Sequence, residues 1–220
     1  MNLRLLAVVT GLLMVSLLTG CAKPIKSLDY SAYKQARPRT ILVLPPLNES
    51  PDIKGSYSLL SQVTFPLAEA GYYVMPVTLV DETFKQNGLS AAADIHNTSP
   101  AKLHEIFGAD AAMYITVTQY GTKYMVLSSN TIVTANAKLV DLKSGTTLWT
   151  GSATASSEEG NNNNQGGLVG MLITAAVKQI INSSTDAGHP IAGLASRRLL
   201  SVGQNTGLLY GPRSPKYGSD

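Results

Sequence analysis

The chain has only one cysteine, Cys21, so no disulfide can form within it. Exported proteins often depend on disulfides for stability, because the oxidising compartments that they enter allow these bonds to form. Without that support, the fold must be held together by the packing of its side chains.

The charges are few and nearly balanced. The sequence contains 17 Lys and Arg residues against 14 Asp and Glu residues, and it has no basic cluster. Proteins that bind nucleic acid present their positive charges as a patch or a stripe that neutralises phosphates. We therefore expect no nucleic acid partner.

The residue patterns of enzymes and metal sites are missing as well. His96, His104 and His189 do not have the spacing of metal ligands, and no second cysteine can join them. The sequence has neither a glycine-rich phosphate loop with its lysine nor a Gly-x-Ser-x-Gly turn for a nucleophilic serine. It therefore predicts a protein that is not an enzyme, with no metal and no cofactor apart from a covalent lipid.

The apolar run from Leu5 to Leu18 is too short to span a membrane. Crossing about 30 Å of hydrocarbon takes roughly 20 apolar residues. This run follows the positively charged Arg4, and the arrangement matches the charged and hydrophobic regions of a secretory signal. Residues 1–20 are therefore predicted to be a signal peptide that is removed.

The segment Leu18-Thr19-Gly20-Cys21 resembles the bacterial lipobox, in which the cysteine is acylated and the chain is cut before it. The thiolate is the nucleophile that takes the lipid. The alternative is a plain signal peptide and a chance cysteine, but the only cysteine stands where the cleavage site ends. Two or more acyl chains hold a protein stably on a membrane. Ala22 in place of Asp resembles enterobacterial lipoproteins that leave the inner membrane, which implies the periplasmic face of the outer membrane.

The mature chain divides into three parts. Residues 21–38 contain two prolines and few apolar residues in register, which predicts a lipid-anchored tether. Residues 39–200 are predicted to form one domain. Residues 201–220, rich in glycine and proline, are predicted to be an irregular tail.

The first half of the domain has a strand, helix, strand pattern. The run from Thr40 to Leu44 is continuously apolar and ends at Pro45-Pro46, which is typical of a strand buried on both faces. From Ser56 the apolar residues recur at helical spacing and are expected to face inward, namely Tyr57, Leu60, Val63 and Leu67. Pro66 is expected to kink or restart this helix. A strand from Tyr72 to Val77 follows, and such a crossover joins parallel strands.

From residue 111 onward the apolar residues alternate, which predicts strands. Residues 131–142 and 146–155 continue this pattern around a turn at Gly145, so the second half is predicted to be an antiparallel meander. The fold class is therefore α/β: a mixed sheet with a parallel β-α-β start and an antiparallel second half, covered by helices. Short helices are predicted at residues 80–86, 99–108 and 191–199.

Three segments carry further predictions. On the helix after Ser99, the apolar residues Leu103, Ile106 and Phe107 are expected to face inward. Residues 158–167 include four consecutive asparagines, which predicts a mobile loop. Residues 168–181 are the most apolar stretch of the mature chain. We expect them to form a core helix, or else a helix that also contacts a second subunit.

The loop from Leu47 to Asp52 follows the first strand, at the end of the sheet where open α/β folds place their binding sites. Asn48, Glu49 and Ser50 are predicted to bind a partner, because they stand on a scaffold held by two prolines. The alternative is that Asn48 and Ser50 only satisfy the hydrogen bonds of their own turn.

Several motifs occur in an order that is typical of one protein family. They are Pro45–Ser50, Pro66–Glu69 with Gly71–Val74, Gly108–Ala111, Gly121–Tyr124, Leu139–Leu142 with Gly145 and Trp149, and Gly211–Arg213 through Tyr217. Together they resemble a proteobacterial lipoprotein family of unknown function whose best-known member is a meningococcal antigen. The resemblance covers almost the entire mature chain, so it is more specific than any one motif.

Part of this pattern also looks like the curli-secretion channel lipoprotein and the amino-terminal domain of the Tol-system propeller protein. These resemblances imply an α/β sandwich and a role in envelope transport or assembly. The chain lacks the two long alternating hairpins of the channel lipoprotein, which argues against a pore.

Two functions from different classes follow. The first is an oligomeric interaction module, anchored in the outer membrane, that binds envelope proteins of a transport or secretion assembly, for example a lipoprotein like the curli channel. The second is a regulator or activator of a peptidoglycan-synthesising enzyme. Such activators generally need a long tether, whereas the 17 residues from 22 to 38 would reach only about 20–25 Å as a flexible chain. We therefore favour the first function.

The anchor can be tested directly. Because acylation needs the thiol of Cys21, we expect Cys21→Ser to release the protein from membranes or to leave it as uncleaved precursor. Fractionation of the envelope with an antibody against the domain measures both outcomes. Recovery of the variant as mature protein in the outer membrane would show that the lipobox interpretation is wrong.

Overall fold

The computed structural model describes residues 28–124, 129–159, 186–203 and 206–220. They form a six-stranded mixed sheet with helices on both faces. The predicted signal peptide, Cys21 and the predicted helix 168–181 lie outside the described residues, as does most of the predicted loop 158–167. No helix in the described ranges is long and apolar enough to cross a membrane.

The described residues form six strands and six helices. The strands are β1 (Thr40–Val43), β2 (Leu47–Asn48), β3 (Tyr73–Val74), β4 (Ala111–Tyr124), β5 (Ser129–Asp141) and β6 (Thr147–Ser156). The helices are α1 (Ser31–Ala36), α2 (Gly55–Glu69), α3 (Val77–Gln86), α4 (Ala92–His96), α5 (Pro100–Phe107) and α6 (Gly188–Leu199).

The sheet has the strand order β3-β1-β4-β5-β6. Strand β1 is parallel to both β3 and β4, whereas β4, β5 and β6 form an antiparallel meander. Strand β2 continues β1 along the same edge of β4, because Ile41 pairs with Ala111 and Asn48 pairs with Val117. The predicted mixed sheet is therefore confirmed.

The core lies in two layers, one on each face of the sheet. Ile41 and Val43 face the layer under α1, α2 and α6, while Leu42 and Leu44 face the layer under α3, α4 and α5. All four side chains are completely buried. This confirms that the first strand is covered on both faces, as its continuous apolar run predicts.

Helix α2 does not restart at its proline, so of the two expectations, a kink or a restart, the second is wrong. It runs from Gly55 to Glu69 with Pro66 in its last turn. Because proline has no amide proton, Pro66 cannot donate to the carbonyl of Gln62 as another residue would. The hydroxyl of Ser196, a fully buried residue of α6, donates to that carbonyl instead, at 3.2 Å. The tertiary partner thus allows the helix to continue.

Two apolar side chains that were expected to face inward are exposed. Tyr57 is 56% exposed and Ile106 is 46% exposed. The buried stripe of α2 is centred on Leu59, Val63 and Leu67, to one side of Tyr57. Helix α5 is only eight residues long and has Leu103 as its buried residue, which leaves Ile106 on the flank.

The packed domain begins earlier than the predicted boundary at residue 39. Residues Ser31–Ala36 of the predicted tether form α1, and Tyr33 within it is only 2% exposed. The hydroxyls of Tyr33 and Tyr72 lie 2.8 Å apart, and Tyr72 donates to the carbonyl of Leu209 at 2.6 Å. Burial raises the pKa of both phenols, so they stay protonated and can form this chain of hydrogen bonds.

The carboxyl-terminal residues are irregular, as predicted, but they are fastened to the domain. The amide of Gly211 donates to the carbonyl of Ala70 at 2.7 Å, and the amide of Arg213 donates to that of Gly71 at 3.0 Å. Gly71 has φ +97°, and a Cβ there would lie 2.4 Å from the backbone nitrogen of Ser214. Only glycine allows the two backbones to approach this closely.

The role of the Ser196 hydroxyl leads to a prediction for α2. Ser196→Ala should lower the free energy of unfolding by roughly 1–2 kcal/mol, because the Gln62 carbonyl loses its donor. In a Pro66→Ala background the amide of residue 66 can supply that donor, so Ser196→Ala should cost less there. Urea denaturation of the four proteins measures the coupling.

A serine on the exposed side of α2 provides the control for this cycle. Ser61→Ala should change the free energy of unfolding by no more than about 0.5 kcal/mol in either background. An equal cost of Ser196→Ala with and without Pro66 would show that the hydroxyl does not compensate for the proline.

Candidate interaction site

The predicted partner loop follows a strand exit that is held from two sides. The carbonyl of Pro45 lies 2.9 Å from Nε2 of His96, and the hydroxyl of Ser56 donates to the carbonyl of Pro46. Because a carbonyl can only accept, Nε2 of His96 carries the proton. Burial lowers the pKa of His96, which keeps the ring neutral at pH 7. The backbone is therefore held in a fixed position where the loop leaves the sheet.

The side chains of Asn48 and Ser50 are used within this loop. Nδ2 of Asn48 donates to the carbonyl of Asp52 at 2.8 Å. Its Oδ1 accepts from the amide of Ser50 at 3.1 Å and from the Ser50 hydroxyl at 2.7 Å. This geometry favours the structural alternative for these two residues, and their binding of a partner stays a prediction.

Glu49 differs from its two neighbours. Its amide donates to the carbonyl of Val117 at 2.8 Å, which continues the pairing of β2 with β4. Its side chain is exposed, and within the described part of the chain its carboxylate makes no ion pair. Of the three predicted binding residues, Glu49 is the one that is free to contact a partner.

Ile53 lies next to this loop and was not predicted from the sequence. Its side chain is 88% exposed, although it is large and apolar. Its backbone is fixed at the start of α2, because Asp52 accepts from the amide of Lys54 at 3.0 Å and from the amide of Gly55 at 3.2 Å. One feature of the sequence could have indicated its exposure. Ile53 stands between the charged residues Asp52 and Lys54 at the start of a helix, outside the apolar stripe that the helix buries.

We use the name rim surface for Glu49, Ile53 and Tyr57. Tyr57 is the third residue of α2 and is also exposed. The nitrogen of Lys85 lies 5.6 Å from the centre of its ring, so the ring is held against α3. The rim surface thus combines one carboxylate with two apolar side chains on a rigid backbone.

A polar network lies beneath the rim and joins the starts of α2 and α6. The hydroxyl of Tyr120 lies 2.9 Å from Oγ of Ser58 and 3.3 Å from the nearer carboxylate oxygen of Asp186. Oγ of Ser58 lies 3.0 Å from Nδ1 of His189, whose Nε2 lies 2.8 Å from the amide of Gln62. Burial raises the pKa of Tyr120 to about 12, so its hydroxyl remains a donor.

This network includes a serine beside a histidine, which is also the arrangement of a hydrolase nucleophile. In such enzymes a carboxylate stabilises the protonated histidine. Here the second ring nitrogen of His189 faces the Gln62 amide, so that stabilisation is missing. The network serves instead to join the two helices that support the rim. Among the described residues, no group of three His, Cys, Asp or Glu could hold a metal ion.

A second polar region lies on the antiparallel half of the sheet. A cavity of about 640 Å³ has His96, Tyr114 and Lys138 at one end. The nitrogen of Lys138 lies 4.9 Å from the centre of the Tyr114 ring. Its remaining lining is mainly hydroxyl and amide side chains, including Thr116, Asn136, Thr150 and Ser152. Polar side chains of this kind are typical of an antiparallel sheet with one face in water, so they indicate no particular ligand.

Comparison with known proteins gives consistent matches over the described domain. Residues 28–213 match the family model described as "Putative lipoprotein GNA1162-like". The lipoprotein NMB1124/NMB1162 of Neisseria meningitidis serogroup B is 51% identical over 206 residues, which are 93% of this chain and 95% of that protein.

Solved structures add two similarities. The crystal structure of lipoprotein GNA1162 from Neisseria meningitidis is 57% identical, with a TM-score of 0.54, and covers 66% of this chain and 99% of its own. The PelC dodecamer from Paraburkholderia phytofirmans is 13% identical, with a TM-score of 0.43, and covers 81% of this chain and 93% of its own. The second similarity is too low to support an inference about the assembly of this chain.

Proposed function

The chain belongs to the GNA1162-like lipoprotein family, and from this we propose that it is a lipid-anchored interaction module of an envelope transport or secretion assembly. In this proposal, acylated Cys21 holds the protein at the periplasmic face of the outer membrane. The domain has no catalytic role, forms homo-oligomers, and binds an envelope protein through the rim surface. A lipoprotein like the curli channel is one candidate partner.

The observation that carries the proposal is the exposed isoleucine on a rigid support. A single exposed apolar residue is common on protein surfaces. Ile53, however, lies between Asp52 and Lys54, which are joined by a hydrogen bond just before α2, and Tyr57 is exposed in the first turn of that helix. Large apolar and aromatic side chains on a fixed backbone are the usual anchors of protein interfaces, because little conformational entropy is lost on binding.

The short connection to the anchor favours a partner close to the membrane. Because α1 already belongs to the domain, only residues 22–30 separate it from Cys21. A flexible chain of nine residues reaches about 15–18 Å. That distance is shorter than the tether length estimated from the sequence. It weakens the alternative of a regulator that reaches out to a peptidoglycan-synthesising enzyme.

Two variants distinguish binding by the rim surface from structural support of its loop. We expect Glu49→Ala with Ile53→Ser to abolish most recovery of the envelope partner after crosslinking in cells. Because both side chains are exposed, the free energy of unfolding should change by no more than about 0.5 kcal/mol. Quantitative mass spectrometry of the captured proteins measures the loss.

Asn48→Ala is the matched control. It removes the hydrogen bonds within the loop, so it should lower the free energy of unfolding by about 1 kcal/mol and leave partner recovery near that of the parent. If the Glu49 and Ile53 variant recovers the same partners as the parent protein, the rim surface is not the docking site.

A further inference from the structure

A cavity opens at the end of the domain opposite the rim surface. It lies between α1 and the carboxyl-terminal segment and has a volume of about 440 Å³. Tyr33 and Tyr72 form its floor, and Leu209 and Tyr210 form one wall. Lys34 and Arg37 stand at its mouth and are exposed. The site is therefore aromatic inside and cationic at its entrance.

Two further cations adjoin this cavity. The nitrogen of Lys216 lies 5.7 Å from the centre of the Tyr210 ring, and the guanidinium of Arg213 lies 5.1 Å from the centre of the Tyr73 ring. Tyr217, which also lines the cavity, is 47% exposed. We use the name basal surface for this end of the domain, with its cations Lys34, Arg37, Arg213 and Lys216.

Among the described residues, none of these four cations makes an ion pair with a side-chain carboxylate. In the parts of the chain that the structure describes, the ion pairs are made by other cations, namely Lys54, Lys85, Lys102, Lys143 and Arg198. The nitrogen of Lys34 donates to the main-chain oxygen of Asp220, the last residue of the printed sequence, at 2.7 Å, so Arg37, Arg213 and Lys216 are the cations with the freer charge. The Asp220 side chain is the acidic group in the cavity lining, and it accepts from the amide of Tyr210. The basal surface therefore has more positive than negative charge.

The chain path places this surface next to the anchor. Helix α1 begins at Ser31, ten residues after Cys21. Strand β1 is parallel to β3 and to β4, so all three strands start at the end of the domain where α1 lies. The ten residues from Ala22 to Ser31 span at most about 36 Å when fully extended, so this end of the domain stays near the acylated cysteine. The rim surface lies beyond the end of β2. Measured along β4, it is about 20 Å from the start of β1.

We propose that the basal surface docks on the anionic phospholipid head groups of the membrane that carries the anchor, with phosphate groups at the mouth formed by Lys34 and Arg37. Lysine and arginine near an anionic membrane are attracted to its surface potential, and tyrosine is enriched at the membrane interface. This inference rests on the proposed acylation of Cys21. Docking would orient the domain with its rim surface pointing away from the membrane.

The experiment measures vesicle binding by the mature chain with Cys21→Ser, which carries no lipid. The chain should bind vesicles that contain phosphatidylglycerol and should not bind vesicles of phosphatidylcholine alone. Binding should fall as salt rises, because salt screens exposed charges.

A pair of charge-neutralising variants locates the contact. Lys34→Gln with Lys216→Gln should weaken binding to the anionic vesicles about tenfold or more. Lys54→Gln with Lys123→Gln changes the net charge equally at the far end of the domain, and should weaken it no more than about twofold. Lys34→Arg with Lys216→Arg keeps the charge and should bind like the parent. Circular dichroism melting curves check that each variant is folded.

Three results would overturn the proposal. They are absence of binding to the anionic vesicles at low salt, equal weakening by the two glutamine pairs, and parent-like binding by Lys34→Gln with Lys216→Gln. The first result would also favour an acidic protein as the occupant of the basal surface. None of these results depends on acylation, which the fractionation of Cys21→Ser tests separately.

Discussion

The hydrogen bond from Ser196 to the carbonyl of Gln62 supplies the donor that Pro66 withholds from α2. A proline in its last turn removes the amide that would normally close this part of the helix. Because the buried hydroxyl of α6 takes that place, α2 continues to Glu69 and spans the domain. Just before its first turn, the amide of Lys54 donates to the side chain of Asp52 beside the rim surface. Just beyond its last turn, Gly71 meets the carboxyl-terminal segment at the basal surface.

The parallel start of the sheet separates the two ends of the molecule. Strands β1 and β2 run along one edge of β4, from the region of α1 to the loop that carries Glu49. One end therefore holds Ser31, ten residues after Cys21, together with the four cations of the basal surface, and the other holds the exposed Ile53. A lipid-anchored protein with this arrangement can rest on a membrane and still present a fixed docking surface. The family assignment supports the anchor, and the geometry supports the division of roles.

Patterns that depend on neighbours in the sequence predicted much of this fold. The continuous run from Thr40 to Leu44 was identified as a strand buried on both faces, and the alternation after residue 111 as an antiparallel meander, and both are confirmed. The resemblance to a proteobacterial lipoprotein family is also confirmed. The more distant resemblance to the curli-secretion channel lipoprotein stays a prediction.

The features that were missed depend on residues far apart in the chain. Pro66 is tolerated because Ser196, 130 positions away in sequence, lies against it in space. Tyr33 belongs to the core because its hydroxyl bonds to Tyr72, which in turn bonds to Leu209. The sequence around residue 33 gives no sign of these distant partners. At the candidate site, residue types alone could not distinguish Asn48, which bonds within its loop, from Ile53, which is left exposed. Burial and hydrogen bonding in three dimensions make that distinction.

The claim that the rim surface binds an envelope protein is tested most directly by photo-crosslinking in living cells. A photoreactive amino acid at position 53 should give a crosslinked product with a specific envelope protein. The same amino acid at position 106, an exposed isoleucine on α5, which ends near the start of β4 and thus away from the rim, should not give that product. The account is contradicted if position 53 gives no protein adduct while position 106 does, or if both positions capture the same proteins equally.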